Sequence, residues 1–453
     1  MLQSPTMSSH RPCTVYHHAP LLACLMLACV LAPACAPKYA AVAVGEPLWM
    51  WSGAITSSSA VVKARVPGAT AAVLDLRDAT NAPVRRVVGT RAGPAGDVFT
   101  FTLADLQPAS SYAYHLGTTT PLTGRLRTLP AGAGHVTIAF GSCATTGSNA
   151  RIWDAIRKVD PDVFIHTGDF HYENIVQDDP GLFRAAYERV LHSPKQSALY
   201  RHVPIAYVWD DHDFGGNDAD STVASSAAAH TVYREYVPHY PLAGDPGTPI
   251  YQAFTAGRVR VLMTDVRTAR EPMSAGAPDT RDLLGDNQRA WLLRELETAS
   301  RDAALVVWVN VVPWITKSNE HTVDGWAPWA GERLEIANAI ERLGLTRRLI
   351  ILSGDAHMLA LDDGTNSQYA QDATASGPVV MHAAPLDRWP RKKGGPYSHG
   401  SSARNQQFGV VEVDDDGTTL RVALSGRDRT NRQVSRMRLD LVCEGKACAP
   451  APR

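Results

Sequence analysis

The sequence predicts an α/β fold preceded by a small all-β domain. From residue 135 onward, apolar runs of strand length alternate with amphipathic stretches of helix length, which is typical of layered α/β proteins. Between residues 42 and 130, short apolar runs are separated by Gly, Pro and Ser, which predicts strands without helices. We therefore place a small β-sandwich domain at 42–130 and a larger α/β domain at 135–445.

The small domain ends in a hairpin-like pattern. Residues 98–103 alternate between apolar side chains and threonine, as expected for a half-buried strand. Leu106-Gln107-Pro108, followed by Tyr112-Ala113-Tyr114, resembles the last hairpin of a fibronectin type III sandwich. The Pro, Ala and Gly residues at 130–134 are typical of a linker to the larger domain.

The larger domain is expected to contain six buried strands and a closing antiparallel set. The strands are predicted at 135–140, up to 167, and at 203–209, 259–264, 305–309 and 349–353; helices are predicted near 148–159, after 181, near 221–236 and at 286–300. Three further runs, near 408–413, 419–424 and 436–442, form the antiparallel set. The segment 362–407 has little periodicity, so we expect a long loop over the site. Its Arg391-Lys392-Lys393 either shapes specificity or forms a solvated basic tip.

Residues 1–35 have the pattern of a signal peptide. The apolar run at 21–31 is too short to span a bilayer comfortably, and small residues follow it. Ala32-Pro33-Ala34-Cys35-Ala36 resembles a bacterial lipoprotein cleavage site, which would make Cys35 a lipid anchor to the membrane. The alternative is simple cleavage to a soluble periplasmic protein. In both cases we expect export to the bacterial cell envelope or periplasm.

Charge and cysteine content narrow the functional classes. Lys plus Arg is 44 and Asp plus Glu is 45, so there is no electrostatic case for nucleic acid or for an anionic membrane surface. No protein partner is predicted. Cys443 and Cys448 could close a small disulfide loop in an oxidising compartment. Because the other cysteines lie in or beside the signal, Cys143 is left alone in the mature chain.

Four groups of metal-binding residue types each follow a predicted buried strand. Open α/β sheets place their sites at the carboxyl ends of strands, so we expect these groups to converge. Buried like charges repel one another unless a cation pairs with them. The groups are Gly141-Ser142-Cys143, Gly168-Asp169-x-x-Tyr172, Trp209-Asp210-Asp211-His212-Asp213 and Gly354-Asp355-Ala356-His357.

The residue types suit a pair of ions about 3.5–4 Å apart, one of them soft enough for sulfur and nitrogen. Asp169 can bridge two ions through its two oxygens, and the Tyr172 phenolate prefers a trivalent ion such as Fe³⁺. Taken singly, several residues have plainer interpretations. Cys143 would be a small buried apolar residue, Tyr172 a half-buried tyrosine, and His357 a loop histidine with its hydrogen bonds satisfied.

The catalytic candidate is His212. It adjoins candidate ligands, so it can protonate a leaving oxygen or hold the substrate. Asp213 could orient its imidazole ring. The plainer interpretation, a solvated acidic loop, does not explain why the cluster directly follows a buried strand.

With Leu284-Gly285…Gln288…Trp291-Leu292 and Asp265-Val266-Arg267, these motifs make the chain resemble the PhoD-type alkaline phosphatases and phosphodiesterases. That family lies within the calcineurin-like metallophosphoesterase superfamily. The resemblance covers nearly the whole mature chain. It implies a metallophosphoesterase-type layered β-sandwich flanked by helices and preceded by a small fibronectin type III-like domain.

The resemblance also implies an iron–calcium centre. Its Fe³⁺ ligands would be Cys143, Asp169, Tyr172 and His357. Asp169 would bridge to Ca²⁺, which Asp355 and Asp211 would also bind; whether Asp210 or Asp211 is the ligand stays open. Relatives often supply another histidine near 305–311, where this chain has Asn310. Zn²⁺, Mn²⁺ or Mg²⁺ are alternatives for the second ion.

The implied function is that of an exported, metal-dependent phosphoric ester hydrolase similar to alkaline phosphatase. A hydroxide activated by two metals would cleave phosphomonoesters or diesters. The close alternative is a phospholipase D-like phosphodiesterase. An alternative of another class is a catalytically silent envelope lipoprotein that binds phosphate or a partner; a structural adhesin would require all four groups to be accidental.

Overall fold

The computed structural model describes residues 46–93, 96–117, 119–316, 325–373, 375–444 and 447–450. The predicted signal peptide and Cys35 lie outside these residues. No helix in the described ranges is both long enough and apolar enough to cross a membrane.

The chain begins with strands and then alternates strands with helices. The strands are β1 (Trp49–Gly53), β2 (Ala60–Arg65), β3 (Val73–Asp78), β4 (Pro83–Val88), β5 (Thr90–Arg91), β6 (Val98–Leu103), β7 (Ser111–Leu116), β8 (Leu122–Arg127), β9 (His135–Gly141), β10 (Val163–Thr167), β11 (Ile205–Val208), β12 (Gln252–Ala256), β13 (Val259–Thr264), β14 (Leu305–Asn310), β15 (Leu349–Ser353), β16 (Leu359–Asp362), β17 (Val379–Ala383), β18 (Ser401–Ser402), β19 (Gln407–Asp415), β20 (Thr419–Asp428), β21 (Gln433–Glu444) and β22 (Ala447–Pro450). The helices are α1 (Arg151–Val159), α2 (Pro180–Leu191), α3 (Pro194–His202), α4 (Asp211–Phe214), α5 (Ser226–Tyr236), α6 (Gly285–Asp302) and α7 (Ala330–Arg342), with a 3₁₀ turn at Ala327–Trp329.

Two large sheets form the layers. The first has the order β22-β21-β20-β19-β9-β10-β11-β1-β2-β6-β5, and the second β12-β13-β14-β15-β17-β16-β18. In the first sheet β9, β10 and β11 are parallel, and in the second β13, β14, β15 and β17 are parallel. Strand β17 lies against β9 and β19, and β16 lies against β19 and β21. The predicted layered α/β fold is confirmed.

The N-terminal strands divide between two sheets. Strands β4-β3-β7-β8 form a separate four-stranded sheet, whereas β1, β2, β5 and β6 extend the first large sheet. Strand β1 pairs with β11 in parallel, with Gly53 opposite Ile205. The buried indole of Trp51 donates to the backbone oxygen of Tyr236 at 2.9 Å. The region is all-β, as predicted, and the domain boundary near residues 130–135 stays a prediction.

The expected long loop at 362–407 is wrong in part. It contains β17, a fully buried strand between β15 and β16. A five-residue apolar run flanked by Gly, Ser and Pro gives too short a periodic signal to separate from loop. Helix α7 was also not predicted. The disulfide expected between Cys443 and Cys448 is present.

Candidate metal centre

Four loops meet where strands of the two large sheets end. Cys143, Asp169 and Asp211 follow β9, β10 and β11, and Asp355 follows β15 of the second sheet. Two glycines allow the loops to approach. A Cβ on Gly168 would lie 2.4 Å from Asp210 Cβ, and a Cβ on Gly354 would lie 2.5 Å from the Thr167 carbonyl oxygen.

The first cluster contains a thiol, a carboxylate and an imidazole. Sγ of Cys143, a carboxylate oxygen of Asp169 and a ring nitrogen of His357 all lie within 4.8 Å of one another. The Tyr172 hydroxyl donates to Asp169 Oδ2 and lies 3.2 Å from His357 Nε2. The four predicted Fe³⁺ ligands are therefore neighbours.

A backbone hydrogen bond at Nδ1 fixes the orientation of the His357 ring. Its Nδ1 lies 2.6 Å from the backbone oxygen of Trp389, so Nδ1 carries the proton and Nε2 keeps its lone pair. A hydrogen bond of this kind fixes the tautomer of metal-binding histidines. The sequence gives no sign of this contact, because Trp389 is 32 residues away.

The second cluster shares Asp169 with the first. Carboxylate oxygens of Asp169 and Asp211 and a ring nitrogen of His212 lie within 4.8 Å of one another. The two oxygens of Asp211 also accept from the backbone N–H groups of His212 at 2.9 Å and Asp218 at 2.7 Å. Asp169 is therefore a member of both clusters.

Asp210 forms a buried ion pair that the sequence did not predict. Arg267 Nε donates to Asp210 Oδ1 at 2.5 Å, and the side chains of both residues are buried. Oδ2 of Asp210 is buried and has no hydrogen-bond partner in the part of the chain that the structure describes. The Arg267 turn is held by Asp265, whose backbone N–H and carbonyl both bond to the Gln288 amide at 2.8 Å. The Asp-Val-Arg and Gln288 motifs therefore position one guanidinium.

Asp355 is also paired with a cation. Lys393 Nζ lies 2.8 Å from Asp355 Oδ1, and the lysine side chain is only 14% exposed. Arg391 and Lys392 are exposed. The basic run is therefore divided: two residues are solvated, and the third reaches the centre.

His212 is oriented by Asn174, not by Asp213. Its Nδ1 hydrogen-bonds to Asn174 Oδ1, and its ring lies 4.2 Å from the Tyr172 ring, centroid to centroid. The expected Asp213–His212 contact is wrong. Asp213 accepts from the backbone N–H groups of His171 and Asp210, so it caps the short helix α4 that carries His212.

The backbone is strained at the candidate ligands. Cys143, Asp169, Asp355 and His357 have φ values of 63°, 55°, 49° and 50°. Left-handed conformations of this kind in residues other than glycine cost of order 1–3 kcal/mol each and cluster at functional sites. Hydrogen bonds between the loops stabilise these strained conformations. For example, Ala144 N–H donates to Asp169 O at 3.1 Å.

Burial makes ionisation of this centre costly. It raises the pKa of the Cys143 thiol well above its usual value, and Asp169 and Asp355 raise it further. Burial, followed by the carboxylates of Asp211 and Asp210, likewise raises the pKa of Asp169. Asp355 differs: burial opposes its ionisation, but Lys393 and Arg267 hold its pKa below the ordinary value.

The donor set fits bound cations. Among the described residues, no hydrogen-bond partner reaches the buried carboxylate oxygens Asp169 Oδ1, Asp210 Oδ2 and Asp355 Oδ2. Buried unpaired charges of like sign are stable only when a cation balances them. Sulfur, imidazole nitrogen and phenol oxygen on one side suit a transition-metal ion, and the mainly carboxylate donors on the other side suit a hard ion.

Besides the Asp210–Arg267 pair and the Trp389 carbonyl, sequence reasoning missed three further contacts of the centre. Asn174 and Arg388 stand in no motif, and Lys393 was placed only within a basic run. The Arg388 guanidinium lies 3.8 Å from the centroid of the Tyr172 ring. Such contacts join segments that are distant in sequence, so no local sequence pattern predicts them.

Comparisons with known proteins concern the family and the fold. The family model described as PhoD-like phosphatase matches residues 138–423. No curated protein matches. Among solved structures, "Structure of PhoD" is 18% identical with a TM-score of 0.70, covering 91% of this chain and 95% of that one. A purple acid phosphatase, PPD1, from yellow lupin (Lupinus luteus) seeds is 13% identical with a TM-score of 0.61, covering 87% and 74%.

Proposed function

The chain belongs to the PhoD-like phosphatase family, whose model matches 138–423, and from that premise we propose an exported phosphoric ester hydrolase that works with two metal ions. Membership of the family makes the chain a phosphoric ester hydrolase. The finer statements, which concern the ions, the roles of individual residues and the cell compartment, are the proposal.

One observation carries the proposal: two clusters of metal-binding side chains share Asp169. The ligand atoms within each cluster lie within 4.8 Å of one another. In our proposal, Cys143, Asp169, Tyr172 and His357 hold Fe³⁺. Asp169 also contributes to a Ca²⁺ site with Asp211, Asp210 and Asp355.

Bound ions at these positions would lower the pKa of a water molecule and stabilise the charge that develops on the phosphoryl oxygens. The groups of the protein would position the ions and their ligands. Asp169 aligns the two sites, and the Trp389 carbonyl keeps His357 Nε2 facing the centre. Arg267 pairs with Asp210 and opposes the rise in the pKa of Asp210 that burial causes.

His212 is the proposed general acid. Its Nδ1 is engaged by Asn174, so Nε2 is the nitrogen that can exchange a proton with the leaving oxygen. To act as the acid, Nε2 must be protonated before the leaving oxygen departs. Burial opposes this by lowering the pKa of His212, and the neighbouring Asp211 carboxylate favours it.

Export is supported by the disulfide between Cys443 and Cys448, since such bonds persist in oxidising compartments. We propose the bacterial cell envelope or periplasm as the location, with Cys35 as the lipid anchor. Mass spectrometry of the mature N-terminus tests the anchor. An acylated Cys35 supports it, and unmodified cleavage overturns it.

The activity is tested with three substrates at fixed calcium: para-nitrophenyl phosphate, its bis ester and phosphatidylcholine. Preference for the monoester supports the alkaline phosphatase-like reading, and preference for either diester supports a phospholipase D-like phosphodiesterase. A silent binding protein would bind metal but turn over none of the three faster than its His212→Ala variant.

Metal identity is tested separately by elemental analysis and visible absorption. A tyrosinate bound to Fe³⁺ gives a charge-transfer band, so the purified protein is expected to be coloured. Tyr172→Phe removes the phenolate and should abolish the band while leaving the fold intact. A colourless protein that retains iron would overturn the role of Tyr172.

A further inference from the structure

The loop after β17 is fixed to both sides of the metal centre. Asp387 N–H donates to Cys143 O at 3.1 Å, and Thr145 N–H donates to Asp387 O at 3.1 Å. On the other side, Trp389 O accepts from His357 Nδ1. Arg388 stands between these attachments, so its position relative to the centre is determined by backbone contacts.

The Arg388 guanidinium lies beside the anionic centre without an anionic partner of its own. It stacks over the Tyr172 ring at 3.8 Å. Its Nε is buried and donates to no hydrogen-bond partner among the described residues, and Arg388 forms no ion pair with any of those residues. Burial, with nearby cations that include Arg388, lowers the pKa of both His212 and His357, so the guanidinium lies near both rings.

The next residue presents an aromatic face. Trp389 is 82% exposed, the highest value among the large apolar side chains of the described residues. Single exposed apolar residues are common, but this one adjoins Arg388 on a loop held at the centre. Flat rings stack on exposed indole faces.

We propose that Arg388 binds the substrate phosphate and that Trp389 stacks on a flat ring of the alcohol, so that the preferred substrates are phosphate monoesters of aryl or heteroaryl alcohols, including nucleotides. A planar guanidinium offers paired donors to phosphoryl oxygens. Its charge favours a dianionic monoester over a monoanionic diester. This inference rests on the proposed function and names the substrate class of the same site.

Binding is tested without turnover by calorimetry on the metal-loaded protein. The probes are inorganic phosphate, methylphosphonate and phenylphosphonate. Arg388→Gln is expected to weaken all three by roughly 10- to 100-fold, since a hydrogen bond between charged groups is lost. Trp389→Ala is expected to leave phosphate binding unchanged and to reduce the preference for phenylphosphonate over methylphosphonate by about 3- to 10-fold.

Arg391→Gln is the matched control, because its exposed guanidinium lies on the same loop. It should behave as the wild type does. Elemental analysis must give wild-type metal content for every variant, and Arg388→Lys should recover part of the phosphate affinity. Unchanged phosphate affinity in a metal-replete Arg388→Gln protein overturns the role of Arg388.

Hydrolysis assays then show whether the flat ring that Trp389 contacts belongs to an aryl phosphate or to a nucleotide. The kcat/KM of the wild type is compared with that of Trp389→Ala for an aryl phosphate, a nucleoside 5′-phosphate, glycerol phosphate and phosphatidylcholine vesicles. A loss confined to either ring-bearing substrate supports the inference and identifies the source. A loss only for phosphatidylcholine vesicles would assign Trp389 to a lipid surface and overturn it. Absence of turnover in the wild type would instead contradict the proposed function.

Discussion

The two halves of the metal centre contain similar anionic groups but balance their charge differently. We call one the thiolate half, which consists of Cys143, Asp169, Tyr172 and His357. We call the other the carboxylate half, which consists of Asp210, Asp211 and Asp355. In the carboxylate half Arg267 pairs with Asp210 and Lys393 pairs with Asp355, whereas Asp169 has no such pairing among the described residues.

The difference is visible in the ionisation of two buried aspartates. Burial and neighbouring carboxylates raise the pKa of Asp169 well above its usual value. Burial opposes the ionisation of Asp355 as well, but Lys393 holds its pKa below the ordinary value. Burial also raises the pKa of Asp210, although Arg267 opposes this rise, so the carboxylate half receives only part of its counter-charge from its own chain. The thiolate half depends on a bound ion to become anionic.

Removing the charge shared by both halves should have the largest effect. Asp169→Asn keeps the size of the side chain but supplies no anion to either site. We expect loss of bound metal and a fall in kcat/KM of at least roughly 10³-fold, because metal ions supply several kcal/mol of transition-state stabilisation. Elemental analysis and phosphatase assays measure both. Asp286→Asn, an exposed carboxylate, is the control; equal metal content in both variants would contradict the prediction.

Removing the counter-charge of the carboxylate half should chiefly affect stability. Arg267→Met leaves Asp210 buried and unpaired, which costs about 3–5 kcal/mol of unfolding free energy. Adding Asp210→Leu removes the orphaned charge and should recover much of the loss. Urea unfolding of metal-free protein measures the change. Equal stability of the single variant and the wild type would show that the ion pair does not support this half.

The layered fold and the meeting of four loops could be predicted from sequence, because both depend on local patterns. Buried strands are apolar runs, and a carboxylate that follows such a run marks a strand end. The proximity of Asp169 and Asp355 to the same strand ends was predicted in this way. The pairing of Asp210 with Arg267 involves residues 57 apart, and its geometry depends on a buried turn that only tertiary structure defines.

The unpredicted features share one cause: they are contacts between distant segments that leave no periodicity. Strand β17 is too short to be recognised among Gly and Ser residues, although it is central to the second sheet. Asn174 occupies an irregular loop, with φ of 50°, and reaches His212 across 38 residues. The role given to Asp213 was wrong because its two carboxylate oxygens accept from the backbone N–H groups of His171, 42 residues away, and of Asp210.

Lys393 provides a sharper comparison of the halves, with a smaller expected effect. Lys393→Met retains the apolar stem and removes the ammonium, so metal-free protein should lose about 3 kcal/mol of stability through the unpaired Asp355. Calcium should restore more stability than it adds to the wild type, because the ammonium no longer competes for Asp355. Thermal unfolding with a chelator measures the loss of stability, and thermal unfolding with calcium measures the gain.

Lys392→Met is the matched control for that experiment, since Lys392 is exposed on the same loop. It should respond to calcium as the wild type does. If Lys393→Met and Lys392→Met gain the same stability from calcium, the ammonium of Lys393 does not occupy part of the second cation site.

The smallest expected effect concerns Glu332, which bonds to the backbone just before α6 and so supports the carboxylate half indirectly. Glu332 accepts from the backbone N–H groups of Leu283 and Leu284, next to the start of α6 that carries Gln288. Burial raises the pKa of Glu332 to about 7. The unfolded chain releases this proton near pH 4.5 and the folded chain later, so the stabilising contribution is complete below pH 4.5 and is lost as pH rises towards 7.

Glu332→Gln should remove this dependence, because a neutral amide oxygen can accept both hydrogen bonds at every pH. We expect the wild type to lose about 2 kcal/mol more unfolding free energy than Glu332→Gln between pH 4.5 and pH 6. Urea unfolding in chelator at both values measures the difference, and subtraction cancels the titration of other buried groups. Parallel pH profiles for the two proteins would mean that Glu332 is already ionised in the fold and that burial there is offset by its hydrogen bonds.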